Sequence, residues 1–152
     1  MFKTKNFLLI FLFLSTAGCA TVSVPNYIYD KHPYKKEFYG QFNEILDAVK
    51  GVLKDHGWEI SKTTDPSVYE QGKSNETADN KALLITEIRQ TSFFFGSSYS
   101  RLNVFLRPGT DKRTEVEFRY LAVNSFPIKA FNSYRKDKLI DRFFKDLDER
   151  LK

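Results

Sequence analysis

Two period-two runs dominate what this chain can become. Leu102, Val104 and Leu106 alternate with Arg101, Asn103 and Arg107, and Val116, Phe118 and Tyr120 alternate with Glu115, Glu117 and Arg119. A strand turns successive side chains to opposite faces, so each run sorts its apolar residues to one side. Between them, Pro108-Gly109-Thr110-Asp111 is a turn signal. The pair reads as antiparallel strands, Tyr99 to Arg107 and Arg113 to Val123, in a sheet with one packed and one wet face.

The rest of the chain supplies partners for that sheet. Trp58 and Ile60 alternate with Glu59 and Ser61, a first strand. After the turn Thr63-Thr64-Asp65-Pro66, Val68 to Lys73 is a weaker one, and Ser74 to Asn80 is a polar loop. Ala82 to Phe95 reads as one long strand of β-formers. Upstream, Phe42, Ile45, Leu46, Val49, Val52 and Leu53 form one helical stripe, predicting a helix over about 39–55 that Gly57 stops. Leu139, Ile140, Phe143, Phe144, Leu147 and Leu151 form another, predicting a helix over about 130–150. The expected fold is α+β, a two-layer sandwich in the order αββββα, with both helices covering one face of a four-stranded antiparallel sheet.

The N-terminus carries a different message. Lys3 and Lys5 precede an unbroken apolar run from Phe7 to Leu14, and Leu14-Ser15-Thr16-Ala17-Gly18-Cys19 follows. The run is far short of the roughly 20 residues a membrane-spanning helix needs, and it fits a signal-peptide h-region. This stretch resembles the lipobox of bacterial lipoproteins, with Thr16 where that motif most often has Leu. The resemblance implies cleavage between Gly18 and Cys19 and a diacylglyceryl group on the Cys19 sulfur. It implies no other cofactor. Ala20, where Asp would favour retention in the inner membrane, implies the outer membrane, periplasmic face. The expected organisation is a signal peptide over 1–18, a lipidated tether over 19–37 and one domain over 38–152. Pro25 and Pro33 argue for extended backbone in the tether, which at roughly 3 Å per residue reaches up to about 50 Å. Val22, Val24, Tyr27, Ile28, Tyr29 and Tyr34 punctuate it, so it either lies along the domain or a partner, or is an apolar linker.

Composition bounds the function. Losing Lys3 and Lys5 takes the formal charge from +5 to +3. That mild basicity, in an exported protein, is no nucleic-acid footprint. Cys19 is the sole cysteine, so no intramolecular disulfide can form and the core must hold itself. Fifteen Phe, eight Tyr and one Trp supply the apolar area. A helix ending in His56-Gly57-Trp58, the strand Glu59-Ile60-Ser61, a meander and a closing helix resemble the helix-grip domains of BamC-like lipoproteins and, in outline, LptE-like lipoproteins. That likeness carries no functional residue with it.

No catalytic constellation stands out. His32 and His56 are the only histidines, no cluster has metal-ligand spacing, and no phosphate loop or nucleophile motif is present. Glu115 and Glu117 share a face, and cross-strand pairing with Arg101 or Arg107 accounts for them better than glycoside hydrolysis. Phe93-Phe94-Phe95-Gly96-Ser97-Ser98-Tyr99 is the conspicuous stretch. Phe94 must face away from Phe93 and Phe95 on a strand, so Phe93, Phe94, Phe95 and Tyr99 are the candidate partner or lipid contact. The reading is a membrane-anchored, non-enzymatic accessory or scaffold that binds other envelope proteins. The alternative is a lipid- or glycolipid-handling lipoprotein with an apolar cavity between helices and sheet.

Overall fold

The computed structural model describes residues 22–70, 80–125 and 130–152. The signal segment, Gly18 and Cys19 lie outside the described residues, as does most of the loop expected before Ala82. The elements are β1 (Tyr34–Tyr39), α1 (Phe42–Asp55), β2 (Ile60–Thr64), a 3-10 turn (Pro66–Val68), β3 (Ala82–Thr86), β4 (Arg89–Phe93), β5 (Gly96–Pro108), β6 (Arg113–Ser125), β7 (Ala130–Ser133) and α2 (Asp137–Arg150).

The two alternating runs form the axis of the molecule. β5 and β6 each have 13 residues and pair along their whole length, from Ser97↔Ser125 to Pro108↔Thr114. The remaining strands add to them, all antiparallel, in the order β1-β6-β5-β3-β2, with β4 also on β5 and β7 also on β6. Near the β5–β6 turn, β3 takes Asn103–Leu106 and β1 takes Arg113–Phe118. At the far end, β4 takes Gly96–Ser100 and β7 takes Ala122–Ser125.

The αββββα sandwich is therefore corrected to a seven-stranded antiparallel sheet with two helices, and each difference has a physical source. Tyr34–Tyr39, expected partly in the tether, follows the last tether proline at Pro33 and includes the core residue Phe38, and it pairs as β1. The long strand expected over 82–95 is interrupted after Thr86. Ile85 faces Asn103 whereas Arg89 faces Ser100, so four steps along one strand answer three along the other. That is a β-bulge, which exchanges the two faces. The Thr86 hydroxyl fills the gap by accepting from Leu102 N–H at 3.0 Å. Beyond it Arg89 turns to the helix side, with its guanidinium 4.7 Å from the Trp58 ring centroid. Ala130–Ser133, expected in the last helix, pairs with β6 instead, and α2 starts at Asp137 beside the Tyr34 hydroxyl.

The helix stripes behave as their spacing predicts. Ile45, Val49, Val52 and Leu53 of α1 and Ile140, Phe143 and Leu147 of α2 bury against Leu102, Val104, Leu106, Val116 and Phe118. The Phe118 ring sits 5.4 Å from Phe143 and 5.3 Å from Phe144. Gly57 adopts φ +70° and closes α1 through Gly57 N–H to Lys54 O and Trp58 N–H to Leu53 O, a left-handed cap that glycine takes without strain.

Candidate functional site

The second face of the sheet is not wet. It carries Leu83, Ile85, Phe105, Leu121 and Val123, all buried, and the chain before β1 lies across it. Ile28 is fully buried on Leu121 and Val123, with Val22 and Val24 packed on the same cluster. An extended segment has no internal hydrogen bonds, so its backbone groups need partners when covered. Polar side chains of the sheet provide them. Asn103 Oδ1 accepts from Ile28 N–H at 2.6 Å, and Asn103 Nδ2 donates to Asn26 O at 3.0 Å. Arg101 Nη1 donates to Pro25 O at 2.9 Å and Asn26 Oδ1 at 2.6 Å, while its Nε donates to Thr86 O at 3.1 Å. Arg119 Nη1 donates to Ile28 O at 3.2 Å. The residues that marked a solvent face in the sequence are a docking ladder for a strap. The strap's hydrogen bonds to Asn103 and Arg101 are what sequence reasoning missed; that the segment lies along the domain was one of the two readings its apolar residues left open.

Beside the strap lies a compact charge network. Glu117, 1% exposed, meets Arg119 Nε at 2.5 Å and Arg107 Nη1 at 2.8 Å. Glu70 meets Arg119 at 2.9 Å and Arg107 at 3.2 Å, and Lys35 reaches Glu117 at 3.0 Å and Glu115 at 3.4 Å. The expected pairing with Arg107 is present; Arg101 is occupied by the strap. Burial pushes the Glu117 carboxyl up, and the Arg119 and Arg107 charges outweigh it and hold it below the ordinary range. Glu70 follows the same balance of burial against Arg119 and Arg107. A general acid needs the opposite shift, so these carboxylates stay ionised as structural partners. The Arg119 guanidinium lies 3.9 Å from the Phe105 ring centroid, and an open groove of about 500 Å³ runs over Lys35, Arg107 and Glu115. Among the described residues no group of three or more His, Cys, Asp or Glu can hold a metal ion. His56 Nε2 instead contacts Asp146 Oδ2 at 2.6 Å, tying α1 to α2.

The aromatic stretch forms the β4–β5 turn. Phe94 is 92% exposed and Phe95 68%, with their rings edge to face at 4.6 Å. Phe93 is 42% exposed, and its ring lies over Gly96. Gly96 is required there, because a Cβ would stand 2.1 Å from Ser125 O. By register Phe93 shares the helix face with Gly96, while Tyr99, half-buried opposite Val123, is on the strap face. The structure thus brings together Phe94 and Phe95 at the tip and separates Tyr99 from Phe93. Between helices and sheet, the space expected for a ligand is filled by the core side chains. Further grooves of about 370 and 380 Å³ lie at the β5–β6 turn and beside Tyr134 and Arg135, neither beneath the helices. No helix among the described residues is long and apolar enough to cross a membrane.

No protein-family model and no curated protein matches the sequence. The functional reading therefore rests on the residues themselves.

Proposed function

We propose that the mature chain is an envelope lipoprotein, acylated at Cys19 and held at a membrane, most consistently the periplasmic face of an outer membrane. It works by binding other envelope proteins as an accessory or scaffold and performs no chemistry. The observation that carries the reading is the lipobox-like Leu14–Cys19 stretch joined, within three residues of Cys19, to a strap packed on a folded domain. Two features support binding over catalysis: the buried carboxylates and guanidiniums are spent on one another, and the helix–sheet interior is occupied by side chains. The same packing weighs against the lipid-handling alternative.

The test is a paired comparison in intact bacterial envelopes. Wild type should take up a labelled fatty acid, fractionate with membranes and crosslink to defined envelope proteins. Cys19→Ser should lose the label and the membrane association. Equal fractionation and equal gel migration of the two would end the lipoprotein reading. Loss of the anchor with no crosslinked partner in wild type would end the scaffold reading alone.

A further inference from the structure

We infer that the β4–β5 tip is a second membrane contact, and that the lipid-anchored domain stands on the bilayer in one fixed orientation with Phe94 and Phe95 in the lipid interface. The inference rests on the Cys19 anchor and extends it.

The direction of the strap is the first observation. Ile28 is held at Asn103 and Arg119, one cross-strand row of the sheet, and Val24 and Pro25 are held by Arg101, in the row paired with Leu121. Traced back from Ile28 toward Val22, the strap therefore climbs β5 and β6 toward the end where Gly96 and Ser125 lie. Three residue steps separate Val22 from Cys19, which is about 10 Å of chain at full extension. The expected reach of about 50 Å does not exist, because residues from Val22 onward are bound along the sheet. An acylated Cys19 draws this end of the sheet, and not the other, to the lipid surface. The opposite end, at the β5–β6 turn, is about 40 Å away at roughly 3.3 Å per residue.

Charge distribution is the second, independent observation. From Gln90 to Ser100 and from Tyr120 to Ser133 the chain has one charged residue, Lys129. The polar residues of these strands are Ser, Thr, Asn and Gln, and their end exposes Phe94 and Phe95. The opposite end carries Glu37, Asp111, Lys112 and Arg113. Uncharged polar groups with protruding aromatic rings suit the depth where headgroups meet acyl chains, whereas fixed charges do not. The anchor and the charge-poor aromatic end coincide, so the occupant of the tip is the lipid surface itself. A second contact also removes the swivelling that a single flexible attachment allows.

The experiment uses the full acylated chain reconstituted into phosphatidylethanolamine–phosphatidylglycerol vesicles with brominated acyl chains. Phe94→Trp reports the tip, with Phe95→Trp as a second tip position. Tyr39→Trp, 71% exposed and paired with Arg113, reports the far end. Trp58, buried in the core, is a constant background. Circular dichroism verifies that each variant is folded, and intact mass verifies the acyl groups. The expected result is a blue-shifted tip tryptophan quenched several-fold more strongly than the one at position 39. Absence of acyl groups on Cys19 would overturn both the anchor and this inference. Acylation with equal quenching at both ends would leave the anchor standing and overturn the inference. A blue shift at the tip without bromine quenching would mean that a second copy of the chain covers it, which also overturns the inference.

Discussion

Ile28→Ala tests whether the strap belongs to the fold. The side chain is fully buried against Leu121 and Val123. The substitution removes its three outer carbons, which at about 0.8 kcal/mol per buried carbon is a transfer loss of about 2 to 3 kcal/mol. Incomplete collapse of the cavity carries the expected total to roughly 2 to 5 kcal/mol, and Ile28→Val should cost about 0.5 to 1.5. For a domain whose whole stability is of the order of 5 to 15 kcal/mol, the larger change is easily resolved. The assay is urea unfolding of the lipid-free protein carrying Cys19→Ser, read by Trp58 fluorescence. Trp58 belongs to the helix-side core cluster, whereas Ile28 packs on the strap face of the sheet. Its transition therefore shifts only if strap and sheet unfold as one cooperative unit. A loss below about 0.5 kcal/mol at Trp58, with an unchanged urea slope, would show that the strap detaches on its own. The account of the strap face as a second core would then be wrong.

Phe143→Ala should cost roughly 3 to 5 kcal/mol in the same assay, since the ring is fully buried between α1, α2 and Phe118; a cost under about 1 would misplace the α2 stripe. Glu70 and Glu117 both ionise below the ordinary Glu range. Their contribution to stability is therefore complete above about pH 4.3, the unfolded value, and is lost as pH falls through their lower folded values. Urea midpoints should stay nearly level from neutral pH to about pH 5 and fall below about pH 4. Glu117→Gln removes one carboxylate from Arg107 and Arg119, which keep Glu70, so it should cost roughly 1 to 3 kcal/mol near neutral pH and flatten the acid limb; an unaltered acid limb would place the titration elsewhere. Gly96→Ala should destabilise by about 1 to 3 kcal/mol through the clash with Ser125 O, and urea midpoints matching wild type would contradict the tight β5–β6 approach.

What was legible in the sequence is what is decided locally. The α1 and α2 stripes, the Gly57 stop and the β5–β6 alternation each depend on residues within a turn or two, and each stands where the spacing puts it. The bulge after Thr86 is not local. The run of β-formers from Ala82 to Phe95 continues through it, and only the count of residues on β5 reveals the extra step. The strap was legible only as one of two alternatives: Pro25 and Pro33 exclude helix and ladder, but they do not say whether the extended chain packs on the domain or stays a linker. Arg101, Asn103 and Arg119 looked like solvent-facing residues because polarity does not say whether water or another stretch of backbone will meet it. Among the contact candidates, strand geometry implied only that one of the three Phe rings misses the core; Phe94 and Phe95 are both exposed because they form the turn, and the separation of Tyr99 from Phe93 required the register.

The strap also has a temporal meaning. Its hydrogen bonds join positions 75 and 91 residues apart in sequence, Ile28 to Asn103 and Arg119 to Ile28. The first residues of the domain to be synthesised are thus clients of strands that emerge much later, and the entropic cost of closing so long a loop is met only once β5 and β6 have paired. Until then Leu121 and Val123 have no cover and residues 22–30 remain open to proteases. A chain cut short before β6 can never close that face, so closure of the strap marks a completed molecule and leaves every incomplete one exposed to degradation.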